Sequence, residues 1–274
     1  MASTFDQSEF PEDLLPGDAS LPEGESSGEA EGEGGEIAKP EEAAEDPPGP
    51  DVPSPPIDEL RAAMEWAFSE QEIAPEILDS FAEHASLVLE GNRRVNMTAI
   101  LEPKEIAVKH YLDSWRVSQF LPMFGHTVVD IGTGAGFPGV PIAITEPMAR
   151  VTVLDSTRKK MDFVQSSVDA LKLKNVDVHW GRAEDWLATN RADIAIFRAV
   201  SSIRENVRTL RKARHAIQDV VMLKGKSWSR EVRAAEREVE RLGFSLDTVW
   251  EHTLPEGMGE RAILVYRAPG GQGV

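Results

Sequence analysis

The stretch VVDIGTGAGFPGVPIAI, from Val128 to Ile144, sets the tightest limit on what this chain can fold into. An apolar run ends beside an acid, Asp130, and Gly132, Gly134, Gly136 and Gly139 follow at once. β-Branched residues, then glycines, then a proline suited to a first helical turn read as strand, tight loop and helix start. Glycine lets such a loop take positive φ and lets a ligand approach the backbone with no Cβ in the way. In open α/β sheets, loops of this kind lie at the carboxyl ends of the strands, where ligands bind.

The rest of the chain supplies the sheet. Past Gly125, candidate strands fall at 127–131, 151–155, 176–180, 193–197 and 219–223. Helical patterns occupy 138–145, 157–173, 203–215 and 228–242, and two closing strands fall at 244–251 and 261–267. The connection LPEGMGE is short enough to make those two an antiparallel hairpin. This alternation predicts an α/β fold with a doubly wound, seven-stranded, mostly parallel sheet over 126–268. Upstream, Leu60, Met64, Ala67 and Phe68 recur at helical spacing, as do Ile77, Phe81, Ala85 and Val88 after Pro75. A further helix starts near Pro103, so 57–125 is expected to be a helical N-terminal portion packed on the core. Residues 269–274 read as a flexible end.

Charge separates one more region. Residues 1–56 hold 16 Asp/Glu and one Lys, whereas the remainder holds 31 acidic and 28 basic residues of a chain whose net charge is −18. Segments such as GEGGE, PPGP and PSPP have no periodic apolar face, so 1–56 is expected to be disordered. There is no cysteine, which excludes disulfides and thiolate metal sites. No apolar run is long enough to span a bilayer, and the first residues lack a secretory pattern. Those features point to the cytoplasm.

Two ligands compete for the glycine loop. Gly134, Gly136 and Gly139 spell G-x-G-x-x-G, a dinucleotide pattern and hence a possible oxidoreductase. Asp130, two residues before Gly132, would repel a pyrophosphate and suit a cationic ligand. S-adenosylmethionine carries an ammonium and a sulfonium and no phosphate, so the pattern favours it. Asp155 closes the second strand, where a carboxylate can accept from both ribose hydroxyls, or else cap the next helix. Gly181 to Asp185, after the third strand, offer a backbone N–H and an acid for an adenine, or equally a helix cap.

With Asn96-Met97-Thr98, His110-Tyr-Leu-Asp-Ser114, Asp130-Ile-Gly-Thr-Gly-Ala-Gly-Phe-Pro-Gly-Val-Pro141, Leu154-Asp-Ser156, Gly181-Arg-Ala-Glu184, Arg198-Ala-Val200, Leu223-Lys-Gly225 and Gly259-Glu-Arg261 in this order, the chain resembles the RsmG (GidB) family. That family comprises bacterial small-subunit ribosomal RNA guanine-N7 methyltransferases on the class I S-adenosylmethionine-dependent fold. The resemblance covers roughly residues 75–267. It implies methyl transfer to a guanine N7 in the 530 loop of 16S ribosomal RNA, with the RNA or the small subunit as partner and no metal. It places donor contacts at Gly132, Phe137, Ala183, Glu184 and Arg198. Asp130, Gly134 and Asp155 join them on the physical argument above.

Guanine N7 carries an in-plane lone pair and no proton, so its attack on the sulfonium methyl needs no general base, only alignment. Arg198, at the end of the fourth strand, is the candidate that positions the acceptor. Arg93, Arg94, Lys224 and Lys226 flank the matched stretches and are the first candidates for RNA contacts. His110 is another: it shares a helical face with Asp113 and Ser114, either bordering the pocket or fixing that helix in a polar network. A monomer is expected. The competing readings are a small-molecule methyltransferase on the same fold and a binding protein without activity.

Overall fold

A computed structural model describes residues 49–50 and 52–269. The expectations for 1–56 and 269–274 lie almost wholly outside those residues. The first described helices are α1 (Ile57–Ala67) and α2 (Pro75–Asn92). Pro75 opens α2 in its first turn, where an absent N–H leaves no partner unsatisfied. Then come α3 (Pro103–Ile106), a π-helical stretch (Ala107–Leu112) and α4 (Asp113–Phe120), run together as one rod. A helix from Pro103 was predicted; the π turn inside it was not.

Seven strands alternate with helices. They are β1 (Thr127–Ile131), α5 (Gly139–Thr145), β2 (Arg150–Asp155), α6 (Arg158–Ala170), β3 (Val176–Trp180) and α7 (Ala183–Thr189). These are followed by β4 (Ala192–Arg198), α8 (Ile203–Thr209), β5 (Ile217–Gly225), α9 (Trp228–Arg241), β6 (Ser245–Thr253) and β7 (Glu260–Arg267). The sheet order is β3-β2-β1-β4-β5-β7-β6. β1 to β5 are parallel, and β7 runs antiparallel between β5 and β6, so the closing hairpin forms as predicted. Val128 and Val129 in β1 and Ile194 to Phe197 in β4 are buried, as strands covered on both faces require.

Two helix ends differ from the periodic pattern. α8 stops at Thr209 rather than at 215. Buried Leu210 closes a turn to Ala213 there, and a short 3-10 segment leads into β5. No proline or glycine marks this stop, so packing sets it. α6 ends at Ala170, and Lys172 just beyond takes φ +55°.

The N-terminal helices seat directly on the glycine loop. Leu60, Met64, Phe68, Phe81, Tyr111 and Trp115 form one cluster with Ala135 and Phe137 of the loop and Leu254 beyond β6. The order of ring contacts, Phe68 to Phe81, Phe81 to Tyr111 and Tyr111 to Phe137, ties the helices to the loop through aromatic edges. Among the described residues, no helix is long and apolar enough to cross a membrane.

Candidate active site

β1 delivers the chain into a loop whose glycines take φ of +74° at Gly132, +61° at Gly134 and +98° at Gly136. A Cβ at Gly132 would lie 2.6 Å from Val200 Cγ2, whereas at Gly134 it would meet nothing within 4 Å. Gly132 is therefore demanded by contact as well as conformation, and Gly134 by conformation alone. Asp130 lies beneath this loop, fully buried, and does not line a cleft. Its Oδ2 accepts from the Thr133 hydroxyl at 2.6 Å and from the Gly139 N–H at 2.8 Å, stapling the two ends of the loop together. Its Oδ1 has no hydrogen-bond partner among the described residues. Burial pushes its pKa up to about 6, against the opposing pull of those two hydrogen bonds.

A cleft of about 310 Å³ opens at the carboxyl ends of β1, β2 and β3. Gly132, Asp155, Gly181, Ala183, Glu184 and Val200 line it. Asp155 accepts from the Thr157 N–H at 2.8 Å and from the Gly134 N–H at 3.1 Å. The carboxylate is thus oriented by backbone on both sides and keeps lone pairs for a ligand. Of the predicted donor contacts, Gly132, Asp155, Ala183 and Glu184 meet here, and Gly134 joins them through Asp155. Phe137 does not. It is buried, stacked on His110 with centroids 4.5 Å apart, and the Arg198 guanidinium lies 5.2 Å from its ring.

Arg198 opens onto a second cleft, of about 440 Å³, whose walls include His110, Asp113, Ala199, Lys224 and Glu231. One guanidinium nitrogen donates to the Lys109 carbonyl at 3.0 Å and the other to His110 Nδ1 at 3.2 Å. Both acceptors belong to the π-helical stretch, where a widened turn brings a carbonyl and a ring to the same cation. An arginine only donates, so Nδ1 accepts. The other ring nitrogen, 3.0 Å from Thr98 Oγ1, then carries the proton. Burial, and next the Arg198 charge, hold the His110 pKa well below its ordinary value and keep the ring neutral. His110 is therefore a bracket for Arg198 and also a wall of the second cleft, so it meets both alternatives at once.

The two clefts share one wall. Phe197 and Val200 line the first, while Arg198 and Ala199 line the second. Ala199 takes φ +55°, a left-handed conformation that costs a non-glycine residue about 1–2 kcal/mol. Strain of this kind persists where the surroundings fix it, commonly at functional sites.

The predicted RNA contacts separate. Lys224 turns inward, with only 10% of its side chain exposed, whereas Lys226 is 83% exposed. Arg93 and Arg94 follow α2 on the surface, and neither they nor Lys226 line either cleft. Thr98, Ala199, Glu231 and Arg261, the last also lining the second cleft 3.7 Å from Asp113, were not singled out from the sequence. Thr98, Ala199 and Arg261 lie in quoted motifs and could have been found there. Glu231, one acid in a highly charged helix, gives no such signal.

This strand order, with the glycine loop after β1 and an acid ending β2, defines a class I S-adenosylmethionine-dependent methyltransferase fold. Residues 77–256 match the family described as rRNA small subunit methyltransferase G (GidB), and the chain belongs to that family. The ribosomal RNA small subunit methyltransferase G of Solibacter usitatus is 39% identical over 194 residues, covering 70% of this chain and 90% of that protein. The protein of the same name from Carboxydothermus hydrogenoformans is 32% identical over 215 residues, covering 76% and 91%. Among solved structures, a SAM dependent methyltransferase from Aquifex aeolicus aligns with a TM-score of 0.46 and 18% identity over 61% of this chain and 94% of that one.

Proposed function

We propose that this protein transfers the methyl group of S-adenosylmethionine to N7 of a guanine in the 530 loop of 16S ribosomal RNA. The observation that carries the reading is the shared wall. Residues Phe197 to Val200 stand between a glycine-lined cleft and a cationic one, back to back. A donor in the first and a base in the second would be separated by one short segment.

The first cleft fits the donor. The backbone at Gly134 is open, Asp155 has accepting capacity for ribose hydroxyls, and Ala183 with Glu184 offers an N–H and a carboxylate to an adenine. When bound, the donor supplies a methyl group already activated on a sulfonium. Asp130 acts on this site through the loop, holding Thr133 and Gly139 in register.

The chain's own residues then need only hold the acceptor in line and keep water out. Arg198, with two donors fixed on Lys109 and His110, presents an oriented guanidinium to the second cleft. Both nitrogens of His110 are engaged, so it has no lone pair free to take a proton. That suits a nucleophile that loses none. Arg93, Arg94 and Lys226 are the proposed phosphate contacts outside the clefts, acting in the cytoplasm where ribosomal RNA is found.

The test is transfer of labelled methyl from S-adenosylmethionine to small ribosomal subunits, and to their free RNA, from cells lacking the modification. Label at a single guanine N7 is expected. No label on either, with donor binding intact, would overturn the reading in favour of a small-molecule acceptor.

A further inference from the structure

The second cleft contains a paired cation and anion that the positioning of Arg198 does not use. Lys224, at the end of β5, donates from Nζ to the Ser201 carbonyl at 2.6 Å and pairs with Glu231 Oε2 at 2.9 Å. Glu231 stands in the first turn of α9, with 30% of its side chain exposed. Its Oε2 is buried against Lys224, so the exposed part of the carboxylate is what faces the cleft. Both side chains line the cleft beside Arg198 and Ala199. The wall therefore offers a fixed donor next to a partly exposed carboxylate. A phosphate is a poor match for this pair, since any anion reaching Lys224 would meet Glu231.

We propose that Lys224 and Glu231 select the acceptor base as guanine. Lys224 donates to O6, and Glu231 accepts from N1–H and the N2 amino group. The proposal rests on the reading that the acceptor atom is a guanine N7. A lysine ammonium can only donate and an ionised carboxylate can only accept. Guanine presents an acceptor, O6, followed by two donors, N1–H and N2–H. Adenine presents a donor, N6–H, followed by an acceptor, N1. The pair matches the first order and opposes the second at both places.

The order of strands agrees. Around the guanine ring, O6 lies between N7 and N1. With N1 and N2 against α9 and O6 at the end of β5, N7 turns toward β4, which lies between β5 and β1. The β4 end is the wall next to the glycine cleft. One consequence follows for the substrate: the target guanine enters with its Watson–Crick edge unpaired, as in a loop or an opened helix.

The experiment uses RNA carrying inosine at the target position. Inosine keeps N7, O6 and N1–H and lacks only the N2 amino group. Methyl transfer is measured as kcat/KM on guanosine and inosine substrates for the full-length protein and for Glu231→Gln, with S-adenosylhomocysteine binding as the check on folding. The wild-type protein is expected to prefer guanosine by roughly tenfold or more, the scale of a good base-edge contact. Glu231→Gln is expected to lower guanosine transfer and bring the two substrates within about threefold, the amide losing one of the two acceptors. A merely structural role for Glu231 would slow both substrates equally. Equal wild-type transfer to both substrates overturns the proposal without need of any variant. So does an unchanged preference in Glu231→Gln. If the wild-type product on guanosine is methylated elsewhere than N7, the functional reading itself falls, and the base analysis of the product tells the two failures apart.

Discussion

Replacing Asp130 by Asn isolates the electrostatic cost of stapling the glycine loop with a buried acid. The carboxyl pKa rises from an ordinary 3.8 to about 6 in the folded protein. At ~1.4 kcal/mol per pH unit, that difference corresponds to about 3 kcal/mol. The sign follows from proton binding. The folded carboxyl holds its proton more tightly than the unfolded one, so its contribution is fully present below about pH 4, is lost as pH rises through about 6, and is flat above. Asn cannot ionise and shows no such loss. Its carbonyl can take over the bonds from Thr133 and Gly139, but its amide then occupies the place of Oδ1, which has no partner among the described residues. Below about pH 6 the protonated acid of the wild-type protein places its own O–H there, so the two proteins share that cost and differ only where the acid ionises. Asp130→Asn is therefore expected to lie within about 1 kcal/mol of wild type near pH 4 and to gain about 3 kcal/mol relative to it by pH 7. Urea unfolding of both proteins across this range measures the difference. The difference matters because His84, whose pKa burial lowers to about 3, pulls the wild-type profile the opposite way and cancels between the two. A gap that stays constant within about 0.5 kcal/mol from pH 4 to 7 would refute the reasoning.

Three further substitutions test the site. Gly132→Ala meets both a left-handed φ and Val200, while Gly134→Ala meets only the φ, so urea unfolding should show about 2–4 kcal/mol lost at the first and about 1 kcal/mol at the second. Equal losses would mean that Val200 yields freely. Arg198→Lys keeps the charge but cannot reach Lys109 and His110 in one planar fork. Its kcat/KM for RNA is expected to fall at least tenfold, with the affinity for S-adenosylhomocysteine within about threefold by calorimetry; a matching loss of that affinity would contradict the separation of the two clefts.

The sequence by itself determined the sheet and its loop. Glycines after β1, β-branched runs in the strands and the short LPEGMGE connection each act over a few residues, where steric rules on φ and side-chain alternation decide the outcome. Only the tertiary structure decided what the charged side chains do. Asp130 and Asp155 are two acids beside the same glycines, yet one lies beneath the loop and the other in the cleft, because β1 is central and covered while the end of β2 borders the opening. Lys224 and Lys226 are two residues apart, yet one is drawn in by Ser201 and Glu231 and the other stands in solvent. The acceptors that fix Arg198 come from a helix 89 and 88 residues earlier in the chain. A charge takes its role from the partners and solvent around it, and for these side chains the packed layers bring those together from distant parts of the chain.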